Sequence, residues 1–172
     1  LKYTLSTEID TGVKVGSLEL HYIKVNHSIP DTYGILICDE AADACSFFIS
    51  DFKIDMTNYF EEPFDFKKLE DISSKYKSRL LMADSTNILS ANKETPSEES
   101  LIKDLEEIIS GEVTRIIVTT FSSNVTRIKT LTDLARKHGR KICLYGRSLQ
   151  RYSATAEEIG YLEPLNDIVD IE

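Results

Sequence analysis

The spacing of apolar residues changes once along this chain, and that change limits the folds open to it. In the first half the pattern is that of strands. Leu18-Glu19-Leu20-His21-Tyr22-Ile23-Lys24-Val25 alternates apolar with polar side chains at period two, Val13 to Val15 does so in short form, and Gly16-Ser17 supplies the turn between them. Tyr33 to Cys38 reads as a buried strand, Asp39 to Asp43 as an acidic turn, and Cys45 to Ile49 as the returning antiparallel strand. Helical spacing at 69, 72 and 76 predicts a helix over 66–76, followed by a short strand, Arg79 to Ala83, that ends at Asp84-Ser85-Thr86-Asn87.

Past the polar stretch Ser90 to Glu99 the pattern alternates helix and strand. Helices are expected at about 96–109, 123–137 and 149–159, with strands at 114–120 and 141–145, an order that implies right-handed crossovers and a parallel sheet. Thr95-Pro96-Ser97-Glu98 reads as a capping box with proline at the first helical position, and Gly111, Gly139 and Gly160 each fall where a helix should close. The chain is therefore expected to be mixed α/β, with a boundary between 1–92 and 93–172.

Composition narrows the function classes. With 20 Lys and Arg against 29 Asp and Glu, the formal charge of −9 argues against a basic coat that binds nucleic acid by electrostatics alone, while leaving room for a local basic site. At 172 residues and 41% hydrophobic the chain is long and apolar enough to fold. No apolar run approaches the roughly 20 residues of a membrane helix, and the start shows no signal-peptide pattern. Cys38, Cys45 and Cys143 form no CxxC pair and no even disulfide set, which suits a reducing, cytoplasmic setting. A start at Leu1 and an apolar-acidic end suggest a segment of something longer.

Three groups of residues could carry chemistry. In the expected hairpin the end of the second strand lies beside the start of the first, so Asp51 should sit near the His27 to Asp31 loop. Imidazole and carboxylate are common zinc or manganese ligands, although a loop histidine bonded to backbone and a turn-capping aspartate fit the same residues. Asp84 ends a strand and could fix the tautomer of a histidine beside a metal, or simply close an Asx turn. Ser123, Asn124, Arg127, Arg147 and Ser148 sit where presumed parallel strands lead into helix N-termini, a setting that favours phosphate and equally suits helix caps with surface arginines.

Six blocks taken in order carry a more specific signal. They are Val25-Asn26-His27-Ser28-Ile29-Pro30-Asp31, Ser50-Asp51-Phe52-Lys53-Ile54-Asp55, Ala83-Asp84-Ser85-Thr86-Asn87, Thr95-Pro96-Ser97-Glu98, Arg115 to Val125, and Gly146-Arg147-Ser148 running on to Gly160-Tyr161-Leu162. Together they resemble the ribonuclease J family, β-CASP members of the metallo-β-lactamase superfamily.

The resemblance implies part of an αββα metallo-β-lactamase domain to about residue 92, followed by the first part of a β-CASP parallel α/β domain. It implies a zinc-dependent RNA hydrolase with endonuclease and 5′-to-3′ exonuclease activity, in which two metal ions, Zn2+ or else Mn2+ or Mg2+, activate a hydroxide. In that scheme His27 and Asp51 are metal ligands, Asp51 bridges both ions, Asp84 is an acidic site residue, and Ser123, Asn124, Arg127, Arg147 and Ser148 face RNA. The implied assembly is a homodimer or homotetramer. A His-x-His-x-Asp-His cluster and later glycine- and histidine-bearing motifs expected of the family lie nowhere in this chain, so the segment alone should be inactive. Ser50 stands where glycine is usual, and Thr126 where histidine is common. Two other readings are a non-catalytic α/β module that binds RNA or a nucleotide, and a β-CASP hydrolase acting on DNA or a small substrate.

Overall fold

A computed structural model describes residues 12–57, 60–91, 96–165 and 168–169. The chain divides into two compact units: residues 1–27, 31–56 and 62–93 form one, and residues 28–30, 57–61 and 94–172 the other.

The first unit is a five-stranded sheet of β1 (Val13–Val15), β2 (Leu18–Lys24), β3 (Tyr33–Asp39), β4 (Ala44–Ile49) and β5 (Ser78–Ala83), with α1 (Phe66–Ser73) between β4 and β5. Spatial order follows chain order; β1 to β4 are antiparallel, and β5 runs parallel to β4. The turns are built as their residues dictate. Gly16 takes φ +63°, a left-handed conformation that glycine adopts without a Cβ penalty. At the β3–β4 turn the Asp39 carboxylate accepts from the N–H groups of Ala41 (3.0 Å) and Ala42 (3.2 Å), while the Asp43 carbonyl accepts from Ser78 N–H (3.1 Å) and so aligns the start of β5.

Alternation then sorts the side chains. Leu36 and Cys38 on β3 share a face with Cys45, Phe47 and Ile49 on β4; these residues, with Ile23, Val25 and Phe64, are buried, and Leu69, Ile72 and Tyr76 pack against them. Phe47 and Phe64 meet edge to face at 6.4 Å between centroids. Asp65 caps α1 by accepting from Lys68 N–H at 2.9 Å, and the helix closes at Ser74, short of the expected residue 76.

The second unit holds α2 (Glu98–Gly111), α3 (Val125–Lys137) and α4 (Arg147–Glu158). Val125, Ile128, Ala156 and Leu162 form its buried cluster, joined by Leu149, Tyr161 and Leu165. Two expectations need correction. The cap of α2 is Ser97, which accepts from Ser100 N–H at 3.1 Å, so the helix starts at Glu98; Thr95, the expected cap, lies outside the described residues. Among the described residues the expected strands 114–120 and 141–145 are not formed: an isolated parallel bridge, Ile142 with Ile168, stands in place of a parallel sheet. An apolar run becomes a strand only beside a partner. Here Val113 and Ile117 are 97% and 84% exposed, and the Thr114 carbonyl accepts from the Arg140 guanidinium, not from a strand. Gly139 and Gly160 do close α3 and α4 with left-handed φ values of +63° and +74°, whereas Gly111 is the last residue of α2. Among the described residues no helix is long and apolar enough to cross a membrane. The mixed α/β class holds.

Candidate functional site

In the first unit three chain segments meet at one end of the sheet. β2 runs on through Val25 to Asn26, whose carbonyl accepts from Lys53 N–H at 2.7 Å in an isolated antiparallel bridge. His27 follows Asn26, and Asp51 precedes Lys53 by two, so this bridge carries both to the same end of the sheet. The third segment arrives through β5: Ala83 is in register with Ile49, and Asp84 N–H donates to the Ile49 carbonyl at 3.2 Å, two residues before Asp51.

The electrostatics of Asp84 record its surroundings. Its carboxyl is held below the usual carboxylate range first by the Thr86 hydroxyl (2.5 Å), then by the Thr86 N–H (3.0 Å), with a smaller contribution from the nearby His27. Asp84 is thus both a turn-capping carboxylate and a neighbour of the histidine. Asp51 and Asp84 are exposed and His27 half-buried, an open arrangement that water and a polar ligand can reach. Among the described residues no three His, Cys, Asp or Glu side chains converge closely enough to hold an ion. As a donor set, a neutral imidazole and a charged carboxylate suit a divalent ion in kind, and they form only part of a coordination shell.

Reasoning from sequence overlooked Asn26. Its side chain is 1% exposed, and its Nδ2 donates to the Glu62 carbonyl at 2.8 Å. The sequence shows an amide beside a candidate ligand, Asn26-His27, but not that this amide is buried.

The expected phosphate residues lie in the second unit, where they also serve its framework. Asn124 caps α3: its Oδ1 accepts from Arg127 N–H at 3.0 Å. Arg127 grips Glu98 with two prongs, Nε to Oε2 at 3.0 Å and Nη2 to Oε1 at 3.2 Å, tying the first turn of α3 to that of α2. Ser123 is half-buried just before the cap. Arg147 and Ser148 are exposed at the start of α4, which follows Gly146 at φ +120° and has no side-chain cap. Among the described residues, no hydrogen bond or ion pair joins Arg147 or Ser148 to Asn124 or Arg127. Thr126 is buried, its hydroxyl 3.4 Å from that of Tyr161.

Comparison with known proteins bears on both units. Residues 113–172 match the family model for the β-CASP domain of ribonuclease J. Over 152 residues the chain is 36% identical to the ribonuclease J of Synechocystis sp., covering 88% of this chain and 23% of that protein. With the ribonuclease J of Thermus thermophilus it shares 32% identity over 164 residues, 95% of this chain and 28% of the relative. The Pyrococcus abyssi ribonuclease J is 29% identical over 150 residues, 86% of this chain and 32% of its own length. The chain thus spans about a quarter to a third of the curated relatives it matches.

Proposed function

We propose, from a chain that carries the β-CASP sequence of the ribonuclease J family over residues 113–172 and is similar to ribonuclease J along most of its length, that the protein containing it hydrolyses RNA phosphodiester bonds. The observation that supports this reading is that the Asn26–Lys53 bridge and the Asp84–Ile49 hydrogen bond bring the segments bearing His27, Asp51 and Asp84 to one end of the sheet. His27 and Asp51 would hold divalent metal, zinc or else manganese or magnesium, with further donors from other parts of the protein. When bound, such ions supply Lewis acidity and a water of lowered pKa.

The chain's own residues have distinct tasks. His27 would offer a ring nitrogen to the metal, and Asp84, whose carboxyl is held below the usual range by Thr86 and lies in the electrostatic reach of His27, would help to orient the imidazole. Asp51 would bring negative charge to the same end of the sheet as a further oxygen donor for the metal. In the second unit Arg147 and Ser148 present a guanidinium and a hydroxyl at the N-terminus of α4, a position that favours phosphate. Ser123, Asn124 and Arg127 would add RNA contacts with the hydrogen-bonding capacity left over from the α3 cap and the Glu98 pair. Such local contacts are compatible with a net charge of −9. The setting would be the cytoplasm, and the assembly a homodimer or homotetramer.

Chelation tests this reading. The full-length protein, treated with chelator and dialysed, should lose cleavage of labelled RNA and keep RNA binding. Unchanged cleavage would defeat the proposal, and preferential cleavage of DNA in a competition assay would redirect it to another substrate.

A further inference from the structure

We infer that Asn26 is a positioning residue for the His27 and Asp51 donor pair, an assignment that rests on the function proposed above. Three segments cross at this one residue. Its carbonyl accepts from Lys53 N–H at 2.7 Å, and its side-chain Nδ2 donates to the Glu62 carbonyl at 2.8 Å. A third bond, Asp65 N–H to the Lys24 carbonyl at 3.0 Å, keeps the 62–65 segment alongside the end of β2. His27 follows directly on one of these segments, and Asp51 precedes Lys53 by two on another.

The chemistry of the position supports a task beyond packing. Asn26 is 1% exposed and follows Val25, which is fully buried, so an aliphatic side chain would fill the space without the cost of burying an amide. The amide is also incompletely satisfied, for Oδ1 is buried with no hydrogen-bond partner among the described residues. The bond that the side chain does make is to the Glu62 carbonyl. Here that bond ties the loop at Glu62 to the strand that delivers His27, while the main chain of the same residue fixes where Asp51 stands. Being neutral, the amide adds no charge to compete with the Asp51 carboxylate for a cation. A second hold lies close by: the buried Asp55 carboxylate pairs with Lys53 Nζ at 3.4 Å, so both ends of the bridge are anchored.

The test uses the full-length protein and calorimetric titration with Mn2+ and with Zn2+, alongside thermal melting and steady-state cleavage of labelled RNA. Asn26→Ala should weaken metal affinity by about tenfold or more at a temperature where the variant is folded, as loss of an outer-shell partner does. It should also lower kcat with little change in KM for RNA. Asn26→Ser, too short to reach the Glu62 carbonyl, should behave alike, and serves if the alanine variant does not fold. Metal affinity within twofold of the parent in a folded variant, with a lowered melting temperature alone, would overturn the assignment in favour of a purely structural residue; so would failure of both variants to fold. Asp51→Ala is the control that separates the two claims. If that variant keeps its metal affinity, the underlying reading of the donor pair fails; if it loses affinity while Asn26→Ala does not, only the positioning role fails.

Discussion

Removing either partner of the Glu98–Arg127 pair should destabilise the second unit, but by unequal amounts, and the inequality follows from where each charge sits. The two hydrogen bonds are 3.0 and 3.2 Å long, and the side chains are 17% and 24% exposed, so the pair lies between the surface and buried limits. Exposed pairs contribute about 0–1 kcal/mol, and breaking a buried pair costs about 3–5 kcal/mol. An intermediate coupling of about 1–2 kcal/mol is therefore expected for this geometry.

Helix dipoles then split the single-variant effects. Glu98 is the first residue of α2, where a negative charge is favoured by about 0.3–1 kcal/mol, and Arg127 lies in the first turn of α3, where a positive charge is disfavoured to a similar degree. Glu98→Gln loses the pair and the favourable dipole contact, and leaves a half-buried guanidinium against the positive end of α3. Arg127→Met loses the pair but removes that unfavourable cation while keeping a long apolar stem. Expected losses are about 2–3 kcal/mol for Glu98→Gln and about 1 kcal/mol for Arg127→Met. Urea unfolding of both single variants and the double variant gives the coupling directly. Equal costs, or a larger cost for Arg127→Met, would refute the dipole argument; coupling below about 0.3 kcal/mol would show that the two prongs contribute no stability.

Three further outcomes follow from the same structure. Leu36→Ala, at a fully buried position in the sheet core, should cost about 2–5 kcal/mol in denaturant unfolding, whereas Leu80→Ala on exposed β5 should cost far less. Ellman's reagent should modify Cys143 quickly in the native protein and Cys38 and Cys45 only after denaturant is added, because both are buried and burial pushes their thiols up in pKa. Glu106 is held below the ordinary glutamate range by Lys137 first (2.6 Å) and then by His138 (3.1 Å). A carboxyl lowered in the folded state stabilises above its unfolded pKa and loses that contribution as pH falls through the folded one. The melting temperature of Glu106→Gln should accordingly lie below that of the parent at pH 6, and the gap should close towards pH 3.

Much of the first unit was legible in the sequence because period-two alternation and turn residues are local signals. Leu18 to Lys24 could be placed as a strand, and Asp39 to Asp43 as a turn, without knowledge of any distant residue. The hairpin argument also placed Asp51 beside the segment bearing His27, as the Asn26–Lys53 bridge does in the structure. Distant partnerships left no such trace. Arg127 reads as a cation one helical turn beyond a polar loop, and nothing in its vicinity announces Glu98, 29 residues earlier. Thr114 to Thr120 has the composition of a strand, but composition cannot supply the neighbour that would satisfy its N–H and C=O groups. For Asn26 the missing information was burial, which depends on Glu62, Asp65 and Lys53 arriving from later in the chain.

Asp51 lies on the segment that the Asn26–Lys53 bridge brings to the His27 end of the sheet, and the proposed hydrolysis requires its carboxylate there. In the full-length protein, Asp51→Ala should abolish cleavage of 5′-labelled RNA while the melting curve stays close to that of the parent, since the exposed carboxylate contributes little packing. Cleavage near the parent rate by a folded Asp51→Ala protein would contradict that requirement.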